Sequence, residues 1–162
     1  MITLDNIDRR ILSALQDDGS LSIAALADQL GMTPPPVWRR VRRLKEEGVL
    51  SRQVWLVDAA SVGYGVTLFA TVKLITHDVE ATQAFRMVVQ TIPEVLECYI
   101  LLGSVDVLLK IVSPSIDYYE SMFYSRLSQL PGVREINSSV VMTAVKDSLK
   151  MPIDLARVTA SS

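Results

Sequence analysis

The residues best suited to chemistry in this chain are cations concentrated in one segment. Residues 29–45 contain four arginines and one lysine and no acidic residue. If this segment is helical, Arg39, Arg42 and Arg43 fall on one face. A guanidinium binds phosphates and pairs bidentately with the edge of guanine, so a stripe of arginines suits contact with a nucleic-acid duplex.

Three helical patterns must position this stripe. The first covers about residues 5–16 and stops at a turn signal, Asp-Asp-Gly. Ser22 can cap a second, short helix that Gly31 ends. Thr33 can cap a third helix, whose first turn contains prolines and which ends at Gly48. The spacing predicts two helices joined by a tight turn, with the second carrying the arginines.

The alternative to a binding surface is that this arginine-rich helix is only a solvated charged face. Against it, Val37, Val41 and Leu44 form an apolar stripe behind the arginines, as a recognition helix in the major groove requires. We therefore predict double-stranded DNA as a partner. Trp38 flanks the stripe and is as well suited to packing on the first helix as to touching the DNA backbone. The predicted DNA contacts are Thr33, Pro36, Trp38, Arg39, Arg42 and Arg43.

A second unit is predicted downstream. Residues 49–57 have strand-like composition and residues 59–65 resemble a linker. Apolar runs at 66–75, 95–102, 107–112 and 133–145 alternate with two helical patterns, whose expected buried residues include Val88 and Ile116. Pro-x-Val recurs at 93–95 and 131–133. This order predicts an α+β chain, an N-terminal winged helix-turn-helix followed by a ferredoxin-like βαββαβ unit. The expected domains are 1–50, a strand and linker at 51–65, 66–150, and a tail at 151–162.

The predicted sheet carries its helices on one face only. Its strands are apolar on both sides, so the bare face predicts a partner subunit and hence a homodimer.

Composition bounds the function classes. The chain has 162 residues, 49% of them hydrophobic, and a net charge of −2. No run is long enough to cross a bilayer and the N-terminus lacks a secretory pattern, so we expect a cytoplasmic protein without membrane association. Cys98 is expected to be a buried structural thiol, and one cysteine with one histidine predicts no metal site within a chain. No cofactor motif is present, and none is expected.

The chain resembles one known family over nearly its whole length, the Lrp/AsnC feast/famine regulators. LDNIDRRIL at 4–12 and LQDDG at 15–19 are similar to the family's first helix, and VWRRVRRLKEEGV at 37–49 is similar to its recognition helix. Glu97-Cys98 leading into Gly103, Pro-Gly-Val at 131–133 and Val-Val-Met at 140–142 are similar to its C-terminal domain. The resemblance implies dimers that assemble further, often into octamers, with an amino acid or related metabolite bound between dimers.

The effector site that this resemblance implies lies at the turn Gly103 to Asp106. The family pattern Gly-Asp-x-Asp-Tyr is here Gly-Ser-Val-Asp-Val, so Ser104 replaces the first acid. From its chemistry the turn is equally a plain hairpin connection. The functional interpretation is that backbone N–H groups, Ser104 and Asp106 hold the charged ends of an amino acid, with Asp106 taking the ammonium. Ser138 and Ser139 are expected as polar neighbours or as ordinary strand surface. The predicted effector site is therefore Gly103, Ser104, Asp106, Ser138 and Ser139.

Two alternatives remain. An effector-independent architectural DNA-binding protein would need the same recognition helix and no pocket. A small ferredoxin-like dimeric enzyme would need catalytic groups, and His77 is better explained as a surface loop residue. No nucleophile elbow, phosphate-binding glycine loop or metal motif is present, so no catalytic residue is predicted.

Overall fold

The structure is a computed structural model that describes residues 3–76 and 78–153. These residues form two compact units. One comprises the chain up to Trp55 together with the segment from Lys146 onward, and the other is Leu56–Val145. No helix in the described ranges is both long enough and apolar enough to span a membrane.

The first unit is a bundle of three short helices. They are α1, Asn6–Asp17; α2, Ile23–Leu30; and α3, Pro34–Glu46. The side chains of Asp5 and Ser22 cap α1 and α2 by accepting backbone N–H bonds, and Gly31 ends α2 with a left-handed φ of 67°. The core is apolar and draws on all three helices: Ile11, Leu12, Leu26, Ala27, Leu30, Val37, Val41 and Leu44. The predicted helix-turn-helix is confirmed.

The strand expected at residues 49–57 is wrong. The backbone N–H groups of Val49 and Leu50 both donate to the carbonyl of Leu44 and so complete the end of α3. Beyond them no residue up to Val57 is in a strand, and Trp55 is 90% exposed. β-Branched and aromatic composition favours a strand only where a neighbouring strand supplies hydrogen bonds, and no strand in the described residues pairs with this segment.

The second unit is a four-stranded antiparallel sheet covered by two helices. Its elements are β1, Val66–Leu74; α4, Val79–Val89; β2, Val95–Ile100; β3, Val107–Ser113; α5, Ile116–Ser125; and β4, Val133–Val140. The strand order is β2-β3-β1-β4, with β1 central between β3 and β4. The predicted α+β, ferredoxin-like βαββαβ order is confirmed, although β4 ends at Val140 rather than at residue 145.

The two faces of this sheet differ. Leu68, Ala70 and Val72 of β1 are fully buried beneath the helices, whereas Phe69 on the opposite face is 38% exposed. The open face also carries two ion pairs, Lys110 with Glu97 and Lys73 with Glu135, both at 3.3 Å. It is therefore a mixed surface of aromatic, aliphatic and charged groups.

Three expectations about burial in this unit are wrong. Cys98 is exposed because it lies on the edge strand β2, where the covering helices do not close over it. Val88 of α4 and Ile116 of α5 are 39% and 49% exposed, because each lies at the margin of its helix's apolar face. Met122, which the sequence pattern did not single out, fills the core instead.

The segment 150–153, called the C-terminal strap here, lies along α1. The side-chain amide of Gln16 exchanges two hydrogen bonds with the backbone of Met151, and Arg9 donates to the carbonyl of Ile153 at 2.9 Å. Lys150 pairs with Asp17 at 2.5 Å. The side chain of Ile153 packs against the core of the three-helix bundle. The strap is thus part of the first unit.

Candidate DNA-binding helix and effector pocket

Helix α3 presents one apolar face to its unit and one basic face to solvent. Val37 and Leu44 are 0% exposed and Val41 is 7% exposed, so the inward stripe is as predicted. On the outward face Arg39 is exposed and forms no ion pair or hydrogen bond with any residue in the described ranges. This guanidinium is open to a ligand.

Trp38 and Arg42 form a second exposed feature of this face. Trp38 is 49% exposed, and the Cζ atom of Arg42 lies 5.4 Å from the centre of its ring. This is the geometry of a cation–π contact, which limits the conformations of the Arg42 side chain. Nε of Arg42 also lies 2.7 Å from Oε1 of Glu46, a pair in which both side chains are about 60% exposed. An exposed pair of this kind is weak and can exchange for another anion.

The start of α3 leaves hydrogen-bonding capacity at its N-terminus. Thr33 occupies the N-cap position and is exposed, but its side chain makes no capping hydrogen bond. Pro34 and Pro35 lack N–H groups, and Pro36 in the same turn is partly buried. The Thr33 hydroxyl is therefore available at the positive end of the helix dipole, where anions are favoured.

Arg43 does not share the exposure of Arg39. The helical wheel placed it opposite the core, but its Nη2 atom lies 2.5 Å from Oδ2 of Asp8 on α1. Arg40, which was not among the predicted contacts, also donates to Asp8, at 2.8 Å, and to Asp5, at 2.6 Å. Asp8 is 1% exposed. These four residues, Asp5, Asp8, Arg40 and Arg43, form an acid–arginine cluster.

The acid–arginine cluster also closes the first turn of α1. The backbone N–H of Asp8 donates to Asp5 at 2.8 Å, and the backbone N–H of Asp5 donates back to Asp8 at 3.2 Å. The hydrogen bond from the Asp8 N–H and the nearby Arg40 guanidinium lower the pKa of Asp5, against an opposing effect of burial. The sequence carried a signal for this cluster. Asp8 lies three and four residues before Ile11 and Leu12, on the apolar face of α1, where an acid needs a partner.

The turn between β2 and β3 borders a pocket of about 390 Å³. The lining is apolar except at two side chains, and it comprises Leu74, Thr82, Ile100, Leu101, Leu102, Gly103 and Asp106. The Leu101 N–H donates to the carbonyl of Asp106 at 2.8 Å, so the turn also serves as the hairpin connection. Of the predicted effector residues, the structure places Gly103 and Asp106 at this pocket, and Ser104 is exposed beside it.

The carboxylate of Asp106 has a defined backbone partner. Its Oδ2 atom accepts the N–H of Leu74, at the end of β1, at 2.8 Å. Its own N–H donates to the carbonyl of Val72 at 3.0 Å. The side chain thus fastens the turn to the neighbouring strand.

Ser138 and Ser139 do not join the pocket lining. They lie on β4, which is separated from β3 by β1, and they pair with Ala70 and Phe69. Adjacent strand residues point to opposite faces, so the two hydroxyls cannot serve one site. The Ser138 hydroxyl is hydrogen-bonded to the hydroxyl of Tyr119. The two serines are adjacent in sequence and were therefore predicted to act together, but they lie on opposite faces of the sheet.

Two remaining expectations concern chemistry. His77 lies outside the described residues. No group of three or more His, Cys, Asp or Glu side chains among the described residues is placed to hold a metal ion.

Comparison with known protein families covers both units. Residues 4–51 match the winged helix-turn-helix DNA-binding pattern, and residues 67–151 match the Lrp/AsnC ligand binding domain. A DNA-binding helix-turn-helix followed by a ligand-binding domain defines a DNA-binding transcriptional regulator. The chain belongs to the Lrp/AsnC family, as its sequence motifs predicted.

Individual relatives agree over nearly the whole length. The DNA-binding transcriptional activator DecR of Escherichia coli is 34% identical over 93% of this chain and 99% of its own. The leucine-responsive regulatory protein of E. coli is 33% identical over 93% of this chain and 92% of its own. A transcriptional regulator from Neisseria meningitidis, solved as an L-Met complex, is 28% identical with a TM-score of 0.91, covering 95% and 99% of the two chains.

Proposed function

We propose that this regulator binds operator DNA through the outward face of α3, with Arg39 and Arg42 as its principal contacts. The observation that carries this proposal is the open guanidinium of Arg39 beside the Trp38–Arg42 stack, on the face opposite Val37, Val41 and Leu44. Thr33, Pro36 and Trp38 flank this face and are proposed to contact the sugar-phosphate backbone. Arg43, which the sequence predicts as a third contact, forms an ion pair with the buried Asp8.

The contacts can be separated by alanine replacement. Arg39→Ala or Arg42→Ala should each weaken operator binding by ~1 to 3 kcal/mol if the side chain pairs with a base edge. A phosphate contact would instead weaken all sequences alike. Arg134→Ala removes an exposed arginine of the second unit and is the matched control. Unchanged operator affinity in both α3 variants, with the fold intact, would contradict the proposal.

We propose that the second unit binds an amino acid or a related metabolite at the pocket beside the Gly103 turn. Support comes from the apolar lining with one carboxylate, Asp106, at its edge, and from the relative that was solved with L-Met. In this arrangement Asp106 orients the ammonium group, while Leu74, Ile100 and Leu102 surround the apolar portion of the ligand. Backbone N–H groups near Gly103 would receive the carboxylate.

A thermal-shift screen of the common amino acids tests the effector proposal. A ligand at about 100 times its dissociation constant should stabilise the chain by ~2.7 kcal/mol. In Asp106→Asn the amide oxygen can still accept the Leu74 N–H but cannot supply the charge that an ammonium needs. The variant should therefore fold and lose the response, whereas Asp117→Asn, an exposed carboxyl on α5, should keep it. A full response in Asp106→Asn would remove this residue from the site.

A homodimer is proposed as the minimum unit, assembling to tetramers or octamers as the family resemblance implies. The open face of the sheet, with Phe69 and Tyr99 part-exposed beside ion-paired lysines, supports this proposal. Phe69→Glu should leave the helix-covered core intact but lower the oligomeric mass in light scattering at micromolar concentration. A wild-type monomer under those conditions would contradict it.

The alternatives make different predictions. An effector-independent architectural protein would bind DNA and show no amino-acid response, so the thermal-shift screen separates it from a sensor. An enzyme is disfavoured because the relatives are named as transcriptional regulators. Binding to chromosomal DNA would place the protein in the cytoplasm, and no membrane partner or cofactor is proposed.

A further inference from the structure

The feature of interest is the buried carboxylate at the centre of the acid–arginine cluster. Asp8 is 1% exposed, yet its two oxygens receive one guanidinium each from α3, Arg40 at 2.8 Å and Arg43 at 2.5 Å. Both arginines belong to the helix that binds DNA, whereas Asp8 belongs to α1. The contact is therefore a charge-assisted link between the supporting helix and the recognition helix.

The cluster divides the cations of α3 into two classes. Asp5 and Asp8 together offset the charges of Arg40 and Arg43, with Arg40 contacting both acids. Arg39 has no acidic partner among the described residues, and Arg42 has only the exposed Glu46. An exposed pair is easily exchanged for a phosphate, whereas a buried acid holds its partners more firmly. Two of the four arginines, Arg39 and Arg42, are thus available to a ligand, whereas Arg40 and Arg43 are held in ion pairs with acids.

We propose that Asp8 is a positioning residue of the DNA-binding site, which withholds Arg40 and Arg43 from DNA phosphates and fixes the rotation of α3. Two results follow. The outward face is set so that Arg39 and Arg42 meet the groove. Sequence-independent attraction is limited, because each additional cation that reaches a phosphate strengthens binding to every duplex equally. Asp8 thereby favours selective over non-selective binding. The proposal rests on α3 being the DNA-binding helix.

The salt dependence of binding to a random-sequence DNA duplex tests this role. Each phosphate neutralised adds about −0.9 to the slope of log K against log salt concentration. Asp8→Asn should release one or both arginines and make this slope steeper by about 1 to 2. Asp28→Asn makes the same change in net charge at an exposed position of α2 and should change the slope less. A role of Asp8 in folding alone would lower the folded fraction and leave the slope of the folded protein unchanged, which would overturn the proposal.

Single arginine variants provide a second test of this role, in which the buried Asp8 is left in place. Arg39→Gln and Arg42→Gln should each flatten the slope by about 1, whereas Arg40→Gln and Arg43→Gln should leave it unchanged. Circular dichroism establishes that each variant is folded. If Arg40→Gln or Arg43→Gln flattens the slope as Arg39→Gln does, these arginines contact DNA and the withholding role is wrong. If none of the four changes the slope, the assignment of α3 itself fails, and the positioning role fails with it.

Discussion

At the scale of single residues, charged side chains differ in how many hydrogen bonds and ion pairs they form within the fold. Glu94 shows this in the second unit. It is 5% exposed, and its carboxylate accepts the Tyr118 hydroxyl at 2.6 Å and lies 3.3 Å from an Arg126 nitrogen. The Tyr118 hydrogen bond is the main cause of a lowered pKa for Glu94, opposed by burial and assisted by Arg126. The ionised form is therefore the one that the fold favours.

The first prediction concerns acid stability. Because the folded-state pKa of Glu94 lies below its ordinary value of 4.5, its contribution is present above that value and lost as pH falls through the folded pKa. Between about pH 5 and pH 3 the free energy of unfolding should fall less in Glu94→Gln than in the wild type. Denaturant titrations at each pH measure this. Glu80→Gln, which removes an exposed carboxyl of α4, should follow the wild type. If the free energy of unfolding falls as steeply with pH in Glu94→Gln as in the wild type, Glu94 does not contribute to acid stability as predicted.

The second prediction compares two helix caps. The Ser22 hydroxyl accepts the Ala25 N–H at 3.1 Å, whereas Thr33 caps α3 without a side-chain bond. Ser22→Ala should therefore cost ~1 kcal/mol of stability, and Thr33→Ala less than ~0.5 kcal/mol. If the free Thr33 hydroxyl contacts phosphate, Thr33→Ala should weaken DNA binding instead. Equal losses of stability in the two variants would show that Thr33 serves as an ordinary cap.

At the scale of secondary-structure elements, the periodicity of apolar residues correctly predicted the elements that depend on local sequence alone. The stripe Val37, Val41 and Leu44 and the glycine at position 31 were sufficient to place the helix-turn-helix, and the repeated Pro-x-Val marked the starts of β2 and β4. The strand at 49–57 was wrong because composition does not reveal whether a pairing partner exists. Pairing is a property of the assembled sheet, which short-range patterns do not contain.

The C-terminal strap could not be predicted from sequence patterns, since its contacts join residues more than 130 positions apart. It stabilises the first unit through backbone hydrogen bonds to Gln16 and Arg9 and through the packing of Ile153. Each of these contacts contributes little free energy alone. Together they should raise the stability of the first unit measurably, because the three-helix bundle is small.

The third prediction tests the strap by truncation. A chain that ends at Leu149 should lose ~1 to 3 kcal/mol of stability in the first unit, from its lost hydrogen bonds and the exposure of the bundle core beneath Ile153. A chain that ends at Ile153 keeps every strap contact and is the matched control. Hydrogen exchange at the amides of α1 reports on this unit specifically. Equal protection of α1 in the two truncated chains would show that the strap contributes nothing to the fold.

At the scale of the whole molecule, the net charge of −2 conceals how the charges are used. The acids of α1 hold two arginines of α3 in place, and the remaining two form the surface that we assign to DNA. Sequence patterns located the arginine stripe but could not divide it, because the division depends on which side of α3 contacts α1. The same limit applies to the proposed effector pocket: the sequence pointed to Asp106 through its turn, whereas the lining residues Leu74 and Thr82 come from distant parts of the chain.

The central claim is that α3 selects DNA sequence through Arg39 and Arg42, and selection from a random-sequence duplex library tests it most directly. As the dimer that we propose, the wild-type protein should enrich a motif with two half-sites, separated by about 10 base pairs or a multiple of that spacing. Arg39→Ala/Arg42→Ala, shown to be folded and of unchanged oligomeric mass, should enrich no motif, while Arg86→Ala/Arg134→Ala should enrich the wild-type motif. Enrichment of that same motif by the α3 variant would contradict the account.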